Sequence, residues 1–282
     1  MNPIKDLLLA VDFTDHSNIT LQSAISFCRE NKSTLSLIHV ITSLDKNLDE
    51  HTRSCNDKID DMVKRVLKEN IEIPHVKVVT GNIEDHVVVF AEAIHAHAII
   101  IGSGNYHHHK KHRLGGHAEA ILRQSSIPVL IIKNKLQPLK GKVACPIDLS
   151  PSSENVLNTA IEYAKHNGGE IVVINAVEPS VYGYPGTGFD FVYAERNFFQ
   201  EEAKAIDIFL QGINFQGVPW SKKLLLGSPA YEVPEYIKTH PFVMVVMCSA
   251  SRTGISRLIL GSVAESVVRN IDTPCLILKP SN

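Results

Sequence analysis

The sequence predicts an α/β protein made of two tandem open parallel five-stranded sheets, each flanked by helices. Three observations predict it. First, the chain is written twice. LLLAVDFTDHSNITLQSAISFCRENKSTLSLIHVI, from Leu7, matches VACPIDLSPSSENVLNTAIEYAKHNGGEIVVINAV, from Val143, placing Asp12 on Asp148 and Ser17 on Ser153. Second, each copy alternates short apolar runs with stripes of helical period. Third, each copy is about 140 residues, an ordinary domain size. The division falls within the linker NKLQPLKGK (134–142), giving domains 1–137 and 138–282.

The elements follow in order. LLLAVD is apolar throughout, which suits a parallel strand covered on both faces. Leu21, Ala24, Ile25 and Cys28 recur at helical spacing, as do Leu157, Ala160, Ile161 and Ala164, and Ser17 or a nearby polar residue is expected to cap the first helix. LSLIHVI is a second strand, and Ile59, Met62, Val63, Val66 and Leu67 mark the next helix. HVKVVTG is a third strand, followed by the stripe Val87, Phe90, Ala91 and Ile94. HAIIIG is a fourth strand, residues 116–124 a helix, and IPVLIIK a fifth strand. From the third strand on, the repeat spacing is longer, pairing Gly81 with Gly227, Gly115 with Gly261 and Lys133 with Lys279. The extra residues of the second copy fall in EPSVYGYPGTGFDFVYAERN (178–197), whose Gly, Pro and Tyr content predicts a loop, not a helix interior.

Bulk properties exclude several functions. Net charge is −2 with both signs interspersed, so no nucleic-acid or membrane partner is expected. The N-terminal apolar run is broken by Asp12, unlike a signal peptide, and no segment reaches the length of a membrane span. Five cysteines without a CxxC fit a reducing cytoplasm and buried thiols. His39 reads as a core histidine, and Trp220, Tyr182, Tyr184 and Tyr193 as packing or groove-lining aromatics.

In an open parallel sheet, ligands bind beyond the carboxyl ends of the strands. Two features converge there in each copy. One is the acid ending strand one, Asp12 or Asp148, whose other reading is a helix cap. The other is the long loop after strand four, GSGNYHHHKKHRLGGHAE (102–119) or CSASRTGISRLILGSVAE (248–265). Each loop runs into a helix N-terminus, which favours phosphate. No GxxxxGK[ST] occurs, no GxGxxG follows strand one, and no G-x-S-x-G elbow supports a hydrolase.

The segments VDFTDHS (11–17) and IDLSPSS (147–153), with RTGISRLILGSVAESVV (252–268) and TPCLILK (273–279), resemble the universal stress protein family over nearly the whole chain, as two copies. The resemblance implies a Rossmann-like, adenine nucleotide alpha hydrolase-like fold. It implies an adenine nucleotide, such as ATP with or without Mg²⁺, in some members and none in others. The family's nucleotide-binding pattern after strand four is a glycine, two residues, a glycine, nine residues, then Gly-Ser or Gly-Thr. In the first copy Gly102 and Gly115 match, while Asn105 and Gly116 replace the second glycine and the hydroxyl residue. In the second copy Gly261 and Ser262 match, while Cys248 and Ser251 replace the glycines.

The second copy ranks ahead as a nucleotide site, with Asp148 toward the adenosine and Ser249, Ser251, Arg252, Gly261, Ser262 and Val263 toward the phosphates. Asp12, Gly102, Asn105, Gly115 and Gly116 form the lesser site. YHHHKKHRLGGH suggests a transition-metal site, with His108 and His112 on one helical face, against a solvated loop, which the lack of a completing cysteine or carboxylate favours. Zinc is therefore not expected. The reading is a cytoplasmic, nucleotide-responsive stress protein, at most a weak ATPase. The resemblance pairs 127–133 with 273–279 as an intramolecular pseudo-dimer, open to further homodimerisation. A ligand-free adaptor with degenerate pockets and a metal-binding protein using the His107–His117 loop stay as alternatives.

Overall fold

The computed structural model describes residues 4–42, 48–103, 114–136, 140–178, 188–249 and 260–280. Asn105, His108, His112, Ser251, Arg252, Tyr182, Tyr184 and the side chain of Tyr193 lie outside what is described.

The first half runs β1 (Asp6–Val11), α1 (Asp15–Asn31), β2 (Thr34–Ile41), α2 (Leu48–Leu67), β3 (Val76–Thr80), α3 (Ile83–Ala93), β4 (Ala98–Gly102), α4 (Gly116–Gln124) and β5 (Val129–Ile132). The second half repeats it: β6 (Lys142–Pro146), α5 (Pro151–Asn167), β7 (Glu170–Val177), α6 (Gly188–Gln211), β8 (Trp220–Leu226), α7 (Pro229–Thr239), β9 (Phe242–Cys248), α8 (Ser262–Asn270) and β10 (Cys275–Leu278).

The two sets of five strands form one sheet of ten, in the order β3-β2-β1-β4-β5-β10-β9-β6-β7-β8. Within each half every pair is parallel. The halves meet where β5 and β10 pair antiparallel, Cys275 opposite Ile131 and Ile277 opposite Val129. The central strands are apolar because both faces are covered. Leu7, Leu9, Ile100 and Leu130 face one apolar layer, which α1, α2, α5 and α6 also enter. Leu8, Ile99, Ile101, Val129 and Ile131 face the other, under α3, α4, α7 and α8.

Two expectations are corrected. Residues 178–197 are not all loop, because α6 begins at Gly188. The turn-forming residues stop there, and no Gly or Pro recurs before Gly212. The extra length is thus shared with the helix, which has 24 residues against 20 in α2. Nor does Ser17 cap α1: Thr14 holds the N-cap position without a side-chain capping bond, and the Ser17 hydroxyl turns to Asp12.

Four of the cysteines are buried and Cys248 half-buried, and all five are free thiols. Burial pushes the Cys28 and Cys275 thiols up to about 12, so neither is a thiolate near neutrality. Trp220 stacks on Phe215 with ring centroids 4.4 Å apart.

Candidate functional site

Each half carries a cleft at the carboxyl edge of its strands, built from the same elements. In the first half Asp12, Gly102, Gly115 and Gly116 line one cavity of about 500 Å³. In the second, Asp148, Cys248, Ser249, Gly261, Ser262 and Val263 line one of about 430 Å³. Both sizes fall in the range of ligand clefts, about 300–1,000 Å³. The described members of both residue sets are thus brought together.

The acids are held by the chain that follows them. One oxygen of Asp12 accepts from Thr14 N at 3.1 Å, from Thr14 Oγ1 at 2.8 Å and from Ser17 Oγ. Burial works against the charge of Asp12, but these bonds outweigh it and hold the carboxyl below its ordinary value. Asp148 repeats the arrangement, one oxygen accepting from Ser150 N and Ser153 Oγ, each at 3.1 Å. In both, the second oxygen has no hydrogen bond to a described residue. The next residue is strained: Phe13 has φ 56° and Leu149 φ 60°. A bulky side chain in that region costs about 1–3 kcal/mol, and such strain gathers at functional sites.

A second repeated device anchors the end of strand one. His39 Nδ1 lies 2.8 Å from the Val11 carbonyl, and Asn175 Nδ2 donates to the Ile147 carbonyl at 2.9 Å. Burial holds the His39 ring below its ordinary pKa, so it is neutral near pH 7 and donates through Nδ1. His39 is the satisfied core histidine that the sequence suggested, and it also lines the cavity.

The loops after β4 and β9 are pinched at their bases in the same way. Gly115 N donates to the Ser103 carbonyl at 2.8 Å, and Gly261 N to the Ser249 carbonyl at 2.7 Å. This closure sets the N-termini of α4 and α8, with their unpaired N–H groups, at the cavity wall.

The halves differ where the first glycine stands. A Cβ on Gly102 would lie 3.0 Å from Thr20 Oγ1 and 3.2 Å from His16 Cδ2. The space that glycine leaves is therefore used by the protein's own His16. In the second half Cys248 replaces the glycine, and the repeat places Ser152 where His16 stands. A larger strand residue thus faces a smaller helix residue. Sequence reading missed this exchange, and its signal was the paired difference between the two copies, His16 and Gly102 in one against Ser152 and Cys248 in the other. It also missed Ser150, whose hydroxyl is buried in the second cavity without a partner among the described residues.

Among the described residues, no three His, Cys, Asp or Glu side chains are grouped to hold a metal ion. His117 instead pairs with Glu84, Nδ1 to Oε2 at 3.0 Å. No helix among the described residues is long and apolar enough to cross a membrane.

Fold and clefts together define a duplicated α/β protein with a ligand-sized cavity in each half. The chain belongs to the universal stress protein family, whose sequence pattern matches residues 3–133 and 141–279. It is 31% identical over 150 residues to universal stress protein MJ0531 of Methanocaldococcus jannaschii, covering 53% of this chain and 87% of that protein. It is 25% identical over 193 residues to universal stress protein Mb2028c of Mycobacterium bovis, covering 66% of this chain and 63% of that one. The fold is similar to the crystal structure of a universal stress protein from Archaeoglobus fulgidus, with TM-score 0.73, 19% identity and coverage of 98% and 97%. It is also similar to that of the functionally unknown protein PA1789 from Pseudomonas aeruginosa, with TM-score 0.75, 17% identity and coverage of 98% and 93%.

Proposed function

We propose that this chain is an adenine-nucleotide-responsive binding module of the stress response, with the second-half cavity as the nucleotide site. One observation carries the reading. Asp148, held by one oxygen with the other left over, shares a cavity with Gly261-Ser262 at the start of α8. An acid at one end suits the hydroxyls and amines of a nucleoside. A helix N-terminus with a hydroxyl residue at its first position suits phosphate. The buried Ser150 hydroxyl is a further polar group in want of a partner. The first-half cavity is the lesser candidate, because His16 takes the room in front of Gly102 and Gly116 brings no hydroxyl.

The pairing of β5 with β10 supports reading the two halves as an intramolecular pair. Titration calorimetry and thermal shift with ATP and with AMP test the nucleotide reading. A ligand that binds only the folded state raises the melting temperature with concentration. No shift and no heat with either nucleotide would overturn it. Mass spectrometry of small molecules extracted from the purified protein gives an independent answer.

A further inference from the structure

α1 begins at the carboxyl edge of the sheet, beside the first cleft, and returns to the amino edge before β2. Against its later turns, the end of α2 and the linker after β5 enclose a groove of about 410 Å³. The groove shares no lining residue with either cleft. Four cations line it: Arg29 of α1, Arg65 and Lys68 at the end of α2, and Lys135 of the linker. Glu69 is the one acid among its described lining residues. The whole chain carries −2, so the groove concentrates the opposite sign. Gln137, Pro138 and Leu139, the undescribed part of the linker, carry no charge and leave this balance unchanged.

Helix C-termini attract cations, and both α1 and α2 end near the groove. Their last carbonyls are already served. The Cys28 carbonyl accepts from the N–H groups of Lys32 and Ser33, and the Phe27 carbonyl from Asn31 Nδ2 at 2.8 Å. The carbonyls of Lys64, Val66 and Leu67 accept from the N–H groups of Lys68, Glu69 and Asn70 at 3.0–3.1 Å. The cations are thus not needed to close the helices. Nor does the fold require them. Setting the buried Met62 and Val66 of α2 on Ile206 and Leu210 of α6 puts Phe209 on Arg65 and Gly212 on Lys68. The repeat puts Ser281 on Lys135, and only Lys165, on Arg29, keeps a cation.

The guanidiniums are held from the side. Arg65 Nη1 donates to Asn18 Oδ1 at 2.8 Å, and Arg29 Nη1 lies 3.4 Å from Glu69 Oε2. Lys68 and Lys135 make no ion pair with a described residue. A guanidinium fork fits two oxygens of one anion, and each ammonium adds a point charge. Gln22 and Ser26 add hydrogen-bond donors, and Ile25 is the one apolar side chain of the wall, too little for an amphiphile.

We propose that this groove binds a compact multivalent phosphate anion. Its cations come from three elements around one concavity, whereas an extended acidic chain calls for a row of them. This does not rest on the nucleotide reading.

The probe is inorganic triphosphate, titrated into the full chain by calorimetry at about 0.1 M salt. Saturable one-to-one binding is expected. Lys68→Gln with Lys135→Gln, both exposed, should weaken it about tenfold or more through lost charge-assisted contacts. The thermal midpoint of that variant checks its fold. Lys204→Gln with Lys238→Gln removes the same charge elsewhere and should keep the affinity within about twofold. Orthophosphate, with one phosphate, should bind about tenfold more weakly or less. Lack of saturation at about 1 mM triphosphate would overturn the proposal. So would equal affinity of the wild type and the Lys68/Lys135 variant, which would place the anion in a cleft. Equal affinity for orthophosphate would overturn the multivalent reading, and tighter binding of a hexaglutamate peptide would make the groove a protein-docking surface instead.

Discussion

The Lys279 amine donates to the backbone carbonyl of Leu122, on α4 of the opposite half. The repeat reverses the pair, for Lys133 donates to the carbonyls of Val268 and Ile271 at the end of α8. Each lysine follows a junction strand and reaches across to the last helix of the other half. The C-terminal end of a helix is the favourable place for a cation, since its carbonyls are otherwise unpaired. The two halves are therefore tied by reciprocal bonds on either side of the β5–β10 pairing.

Burial makes this tie pH-dependent. It pushes the Lys279 amine down to about 8, from 10.5. Between those values the unfolded chain binds more protons than the folded one, so stability rises with pH. Below about pH 8 the full cost of burying the charge is present. In Lys279→Met this dependence disappears, while Lys133 stays in both proteins. Urea unfolding at about pH 7 and about pH 10 should show the wild type gaining on the variant by on the order of 2 kcal/mol. An equal pH response in both proteins would rule out the buried amine as its source.

The bond from Leu136 N–H to Ser23 Oγ predicts unequal effects at two related positions. Both partners are buried, so Ser23→Ala leaves an amide without an acceptor, at about 1–3 kcal/mol. Thr159→Ala, at the related site, removes no bond to a linker. Thermal unfolding should show a drop of several degrees for the first variant and a smaller one for the second. Equal drops would mean that Ser23 acts only through helix packing.

Much of the fold was legible because a parallel sheet covered on both faces demands uninterrupted apolar strands, and Leu7–Leu9 and Ile99–Ile101 supply them. The Gly115-Gly116 and Gly261-Ser262 pairs marked the two helix starts that the structure places at Gly116 and Ser262. What stayed hidden depends on groups brought together only in three dimensions. Nothing local to Lys133 or Lys279 signals a carbonyl on the opposite half. His16 resembled any polar residue of a first helical turn until the strand bearing Gly102 was set beside it. The start of α6 was misread because the Gly and Pro residues before Gly188 colour the sequence window that follows them.

The His16–Gly102 contact gives the sharpest test of how the two clefts diverged. Gly102→Ala places a methyl 3.0 Å from Thr20 Oγ1 and 3.2 Å from His16 Cδ2, so the ring must move. His16 Nε2 lies 3.2 Å from the Ile132 carbonyl, and a shift of a few tenths of an ångström strains that contact. Overpacking of this kind costs about 1–3 kcal/mol. Installing the second half's pair, His16→Ser with Gly102→Cys, replaces the large helix residue as the strand residue grows. A double-mutant cycle by urea unfolding should therefore show Gly102→Cys less damaging with His16→Ser than alone, by about 1 kcal/mol. Strict additivity would mean that the two positions vary independently.

The same contact bears on where a nucleotide would sit. On the proposed reading, Ser262 supplies its hydroxyl at the start of α8 and Asp148 its charge at the other end of the cavity. Ser262→Ala removes the hydroxyl with the least change in size, and Asp148→Asn keeps the shape of the carboxylate. Each should reduce the ATP-induced rise in melting temperature, with the apo melting temperature measured alongside as a control. Loss of one charge-assisted hydrogen bond, about 1.5–3 kcal/mol, corresponds to an affinity loss of about tenfold or more. The matching first-half change, Asp12→Asn, should leave the ATP response intact, since His16 occupies the room before Gly102. If Asp12→Asn abolishes the response and the second-half variants do not, the site belongs to the first half, and the hydroxyl of Ser262 is not what selects it.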